Sequence, residues 1–177
     1  MDSVLSSKQI RSIVERAANR LSGDWVLLGG ALAALWFSAA RVTEDIDLIP
    51  MGADRDGRHE LMEFALEEGL PLEAVNSAAD FFLRRIAGWA GELELLHTGS
   101  RARIFRPTPT LFLLLKSGRM SEADLEDCVQ LIDFAQRHAL AVDRGRVREH
   151  VLSLPEPESS GSKTRRDCLL RALGTSE

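Results

Sequence analysis

The chain has 177 residues, 45% of them hydrophobic and 28% charged, with a formal net charge of −5 at neutral pH. That is enough for one domain and a small appendage, and the acidic balance excludes a protein that clamps nucleic acid by overall positive charge. No apolar run approaches the ~20 residues of a membrane helix, and the opening "MDSVLSSKQIRSIVER" lacks the basic start and apolar core of a secretory signal, so a cytoplasmic protein with no membrane partner is expected.

The first predicted element is an amphipathic helix over "SSKQIRSIVERAANRLSG". Ile10, Ile13, Val14, Ala17, Ala18 and Leu21 recur at helical spacing, Ser6 or Ser7 caps the start, and Gly23 ends it. "WVLLG" reads as a buried strand stopped by glycine, and "ALAALWFSAA" as a helix that starts directly after Gly30. "DIDLI" is a strand closed by Pro50, and a helix surrounds "RHELMEFALEEG".

Farther along, "DFFLRRIAG" and "GELELLHTG" read as two strands separated by "GWAG", and "SRARIFRP" as a third. Arg101, Arg103 and Arg106 then form a one-sided basic stripe facing water. A helix entered through Pro109 covers "TPTLFLLLKSGR", and "SEADLEDCVQLIDFAQRHA" is a helix with Ser121 and Asp124 at capping-box spacing. "DRGRVREHVLSL" is a further helix, "PEPESSGS" has linker composition, and "KTRRDCLLRALG" is a short last helix. Cys128 and Cys168 are free thiols on this reading. Trp25, Trp36 and Trp89 are assigned to the core. The pattern is mixed α/β (α+β) with a helical C-terminal part.

The chemistry concentrates in residues 25–50, "WVLLGGALAALWFSAARVTEDIDLIP". Asp is rare in strands, yet Asp45 and Asp47 stand one residue apart in a strand-like segment. Alternation sends both carboxylates to one face and Ile46 and Leu48 to the other. Two adjacent carboxylates repel unless a cation lies between them, and hard Mg²⁺ prefers such oxygens. Taken alone, the pair also suits an edge strand with a polar face in water. Gly29-Gly30 weighs toward a site, because a Gly-Gly turn between strand and helix lets a ligand approach the backbone. It also aims free helix N–H groups at an anion. Thr43 caps the start of the D-I-D strand. The four histidines have no metal-binding spacing.

The order strand, Gly-Gly, alanine-rich helix and D-h-D-h strand resembles the signature of the nucleotidyltransferase superfamily. "GGALAALWFSAARVTEDIDLI" is most similar to the AbiEii-type toxins and the minimal nucleotidyltransferases of bacteria, with fourteen residues between Gly30 and Asp45. The resemblance covers roughly residues 20–135. It implies a nucleotidyltransferase-type mixed β-sheet flanked by helices over residues 1–140, followed by a helical extension over 141–177. It implies Mg²⁺ or Mn²⁺ held by Asp45, Asp47 and a third carboxylate, for which Glu94 in "GELELLH" is the candidate and Glu92 the substitute. The family carries Asp there.

Gly29, Gly30 and Lys116 would then bind the nucleotide, with Asp124 read as a cap and Asp127 as a surface charge. The implied reaction moves a nucleoside monophosphate from an NTP to a tRNA, other RNA or protein hydroxyl, in a setting where a cognate toxin or antitoxin is the partner. The alternatives are a nucleotide-binding regulatory protein without turnover, and an interaction domain whose D-I-D is a solvated strand face.

Overall fold

The computed structural model describes residues 4–52, 55–76, 79–157 and 159–174. The chain divides into two compact units, Met1–Pro107 and Thr108–Glu177. Among the described residues it carries eight α-helices and one mixed sheet, and no helix is long and apolar enough to cross a membrane.

The first unit opens with α1 (Ser7–Arg20), capped by a reciprocal pair in which Gln9 N–H bonds the Ser6 hydroxyl and the Gln9 side chain reaches back to Ser6. Its apolar stripe, Ile10, Ile13, Val14, Ala17 and Ala18, is fully buried. β1 (Gly23–Leu28) runs straight into α2 (Gly29–Trp36), and β2 (Ile46–Pro50) returns antiparallel to β1 with Leu28 opposite Asp47. After α3 (Arg55–Glu67) come β3 (Val75–Asn76), α4 (Asp80–Arg84), β4 (Leu93–Thr98) and β5 (Ala102–Pro107). The sheet order is β3-β2-β1-β5-β4, with β5 parallel to β1 and β3, two residues long, parallel to β2.

The alternation of side chains sorts this sheet. Trp25, Leu27, Ile46, Leu48, Ala102 and Ile104 are buried on one face. α1 bridges to α3 through Arg16–Glu68 and Arg20–Glu67 ion pairs, and Gly57 of α3 sits against Pro50 and Trp25. Helices therefore line the face that carries Trp25. Of the three tryptophans only Trp25 is buried; Trp36 and Trp89 are half-buried.

The segment "DFFLRRIAG", expected as a strand, forms α4. Arg84 Nε bonds Asp80 Oδ1 at 2.6 Å one turn away, which stabilises a helical turn, and Phe81 and Phe82 both stay exposed while Leu83 alone is buried. That burial has no two-residue period, so the run had no sheet face to occupy.

The second unit holds α5 (Pro109–Ser117), α6 (Glu122–Arg137), α7 (Arg144–Ser153) and α8 (Ser160–Leu173). Pro109 stands in the first turn of α5 and Thr108 caps it. The expected boundary after residue 140 falls inside this unit, because Asp143 N–H bonds Thr110 Oγ1 at 2.9 Å and α7 and α8 pack on α5 and α6. Ser160, Gly161 and Ser162 belong to α8 rather than to the linker, since Ser159 caps that helix through Ser162 N–H.

Candidate functional site

β1 delivers the chain to Gly29, whose φ of +69° is the left-handed region that favours glycine. α2 begins there behind Leu28, a residue with no side-chain oxygen to cap the helix, so its first N–H groups are not satisfied by the usual device. Asp47, opposite Leu28 on β2, packs its carboxylate against Gly29 so closely that a Cβ at Gly29 would run into Oδ2. A Cβ at Gly30 would sit 3.0 Å from Thr43 Oγ1 and 3.4 Å from Arg41 Nη2. The Gly-Gly turn is thus a place where a carboxylate, a hydroxyl and a guanidinium converge on bare backbone.

Asp45 lies one residue before β2 and is exposed. Its N–H bonds Thr43 Oγ1 at 3.3 Å, and the same hydroxyl donates to Asp45 O at 3.2 Å, the capping role expected of Thr43. Leu5 fixes this loop from outside through two backbone bonds with Thr43, 2.7 and 3.3 Å long. A cavity of about 280 Å³ lies here, lined by Val4, Arg41, Val42, Thr43, Glu44 and Asp45.

Glu94 does not join the pair. Leu28 and Val26 share Asp47's face, Val26 is level with Phe105 on β5, and Phe105 alternates with Arg106, which is level with Glu94. Counting across the sheet puts Glu94 on the opposite face. There its carboxylate binds Arg106 Nη2 at 2.5 Å, and the Arg106 guanidinium lies over the Trp36 ring, 3.9 Å from its centroid. Burial lowers the Arg106 pKa, with Glu94 working in the other direction. Glu92, the substitute, lies in a 3-10 turn before β4, where strand alternation does not apply.

The arginine stripe is divided in the same way. Arg103 faces Asp24 and bonds it through both nitrogens at 2.6 and 2.8 Å, while Arg106 turns to the helix-lined face. Asp24 shares Asp47's face but is four residues up β1 from Leu28, about 13 Å away. Among the described residues, no three His, Cys, Asp or Glu side chains are placed to share one cation.

Lys116 belongs to the second unit and is engaged there. Its ammonium lies 2.9 Å from Asp124 Oδ1 and 2.8 Å from Asp127 Oδ2, with all three side chains almost wholly out of water. Burial works to lower the Lys116 pKa, and the carboxylates of Asp127 and Asp124 outweigh it and raise it. Burial likewise works to raise the Asp124 carboxyl; Lys116 and Ser121 hold it at about 2. Asp127, expected as a surface charge, is fully buried. The sequence signal that was present and not used is its spacing: Asp124 and Asp127 lie three apart on α6, so one ammonium can reach both.

The donors at the Gly-Gly turn suit a hard divalent ion. Asp47 packs its carboxylate on Gly29 and Asp45 stands two residues upstream, and Mg²⁺ commonly takes one or two carboxylates and completes its shell with water and phosphate. Comparison of the chain with protein-family models, with curated proteins and with solved structures gives no match.

Proposed function

We propose that the first unit is a nucleotidyltransferase that binds an NTP with Mg²⁺ or Mn²⁺ at the Gly29-Gly30 turn. The observation that carries this reading is the Asp47 carboxylate seated on the bare backbone of Gly29, with Asp45 two residues upstream. Asp45 and Asp47 would hold the metal, which neutralises phosphate charge and eases ionisation of the acceptor hydroxyl. Gly29 and Gly30 would let phosphate oxygens approach the first turn of α2, whose N-cap residue Leu28 has no side-chain acceptor. The acceptor oxygen forms a bond to the α-phosphorus, the α–β bond breaks, pyrophosphate leaves and the hydroxyl proton passes to solvent or a nearby base. The acceptor is an RNA or protein hydroxyl, and a toxin–antitoxin setting agrees with the resemblance. Lys116 has no part in this proposal because its charge is balanced by Asp124 and Asp127.

One observation favours a second reading. With Glu94 on the other face and bound to Arg106, the pair lacks the third carboxylate that its likeness to transferases calls for, so a protein that binds nucleotide without turnover is the alternative. The experiment that separates them follows label from each α-³²P NTP, with Mg²⁺ or Mn²⁺, into bulk tRNA and cell-extract protein. Wild type is compared with the Asp45→Asn, Asp47→Asn double variant. Transfer expected for wild type and absent from the variant supports the transferase. Metal-dependent NTP binding without transfer supports the second reading, and neither binding nor transfer removes both.

A further inference from the structure

We propose that β4 is a docking edge for a second copy of this chain, the two strands pairing antiparallel with Glu94 of each copy opposite His97 of the other. β4 lies at one side of the sheet, next to β5 alone. Among the described residues, the backbone of Leu95–Thr98 makes no backbone hydrogen bond outside its pairing with β5. One row of N–H and C=O groups is thus left over, the template that another strand uses. Edge strands are usually shielded by shortness, Pro, Lys or a bulge. β4 has six residues and neither Pro nor Lys, and Leu95 is 56% exposed. Its one such device is a bulge, and the bulge favours a particular partner.

The register shifts between Leu95 and His97, with Leu96 the extra residue. One step of the alternation is cancelled, so Glu94, opposite Arg106, and His97, opposite Ile104, stand on the same face of the sheet. Residues directly opposite in an antiparallel pair share a face. In a regular strand, residues three apart lie on different faces and cannot meet across a two-fold axis normal to the sheet; here Glu94 and His97 can. That register also sets Leu95 against Leu96, so two leucine pairs form the centre and an acid–imidazole pair flanks each side. His97 is half-buried and has no hydrogen-bond or ionic partner among the described residues. Arg106 contacts Glu94 through Oε2, and a carboxylate has acceptor sites for a second donor, which a neutral imidazole N–H supplies as well as an imidazolium. A strand of other sequence would need both the bend of the bulge and a donor against Glu94; a second copy brings both. The edge is also fixed before association. Ser100 N–H donates to Asn19 Oδ1 at 2.8 Å and Arg101 N–H to Ala18 O at 3.3 Å, which ties the β4–β5 turn to α1, so little order is lost on pairing. Six residues a side make less than a standard interface, and the dimer is expected to form only at high concentration.

The test is sedimentation velocity on the full chain from about 10 µM to about 1 mM. Hydrogen exchange of the peptide over β4 is read at both ends of that range, and thermal melts check folding. Wild type is expected to shift from monomer toward dimer and to slow its exchange in β4 as concentration rises. Leu95→Lys puts an ammonium at the centre of the pair and should weaken the dimer by about 10-fold or more. His97→Glu sets two carboxylates against each other and should weaken it by a similar factor, whereas His97→Lys keeps a donor against Glu94 and should retain it. Leu66→Lys, at an exposed leucine of α3, should change nothing. A wild type that stays monomeric throughout, or a dimer that Leu95→Lys leaves intact, would overturn the proposal. A dimer weakened as much by Leu66→Lys as by Leu95→Lys would show general adhesion of exposed leucines and would also overturn it. Equal dimer strength in His97→Glu and His97→Lys would overturn the register that pairs His97 with Glu94.

Discussion

Gly23 and Gly29 share a left-handed backbone, φ +80° and +69°, but a Cβ at Gly23 meets nothing within 4 Å while one at Gly29 meets the Asp47 carboxylate. The pair separates backbone strain from steric displacement at single positions. Gly23→Ala carries the strain alone, about 1–2 kcal/mol, and its melting temperature should drop by a few degrees with Mn²⁺ binding intact. Gly29→Ala carries the same strain and must also push Asp47 out of place, so Mn²⁺ binding should weaken beyond what the melt explains. Equal binding by the two variants would show that Asp47 is not seated for a ligand. At this scale the placement of Asp47 against Gly29 was legible in the sequence, because strand, Gly-Gly, helix and the second strand lie within one contiguous stretch. Glu94 was not legible. Its position depends on strand order and on an odd number of steps between Asp47 and Glu94 across β1 and β5, which no local pattern encodes.

Elements show the same division between local and distant information. The Ser121–Asp124 capping box of α6 was readable, and both of its reciprocal bonds are present. Its further consequence was hidden, because only the packing of α5 on α6 brings Lys116 to the capping aspartate. Removing the ammonium with Lys116→Met leaves two buried carboxylates with only the exposed Arg119 guanidinium, 3.5 Å from Asp124 Oδ2, beside them, which should cost roughly 3–5 kcal/mol in chemical denaturation. The pH dependence has a definite sign. Asp124 titrates at about 2 in the folded protein against an ordinary 3.8, so its contribution is complete above about pH 5 and is lost as pH falls through 2. The difference is worth about 2 kcal/mol. The stability gap between wild type and Asp124→Asn should therefore shrink by about that amount between pH 5 and pH 2. A gap that stays constant would show that the Asp124 carboxyl is not held down by Lys116 and Ser121.

On the scale of the whole molecule, the chain builds two cores rather than a main domain with a tail. Trp25, Leu27, Leu48 and Phe64 are buried in the first unit, and Phe112, Leu131, Val147 and Leu169 in the second. Composition suggested a break near "PEPESSGS", since a Pro- and Ser-rich run reads as a linker. The buried Val147, Val151, Leu169 and Leu173 of α7 and α8 instead give both helices a place in the second core, and apolar burial outweighs a short linker signature. The Lys116–Asp124–Asp127 cluster lies wholly within that second unit, so its loss should act there first. Hydrogen exchange on Lys116→Met, followed by peptide mass, should show faster exchange across 108–177 while α1, β1 and β5 keep their protection, because local opening follows cooperative units. Faster exchange spread evenly over both units would mean that they open as one, and the boundary at Pro107 would then have no energetic meaning. If exchange is instead confined to the second unit, the metal and nucleotide titrations of the first unit can be read without correction for the stability of α5 to α8.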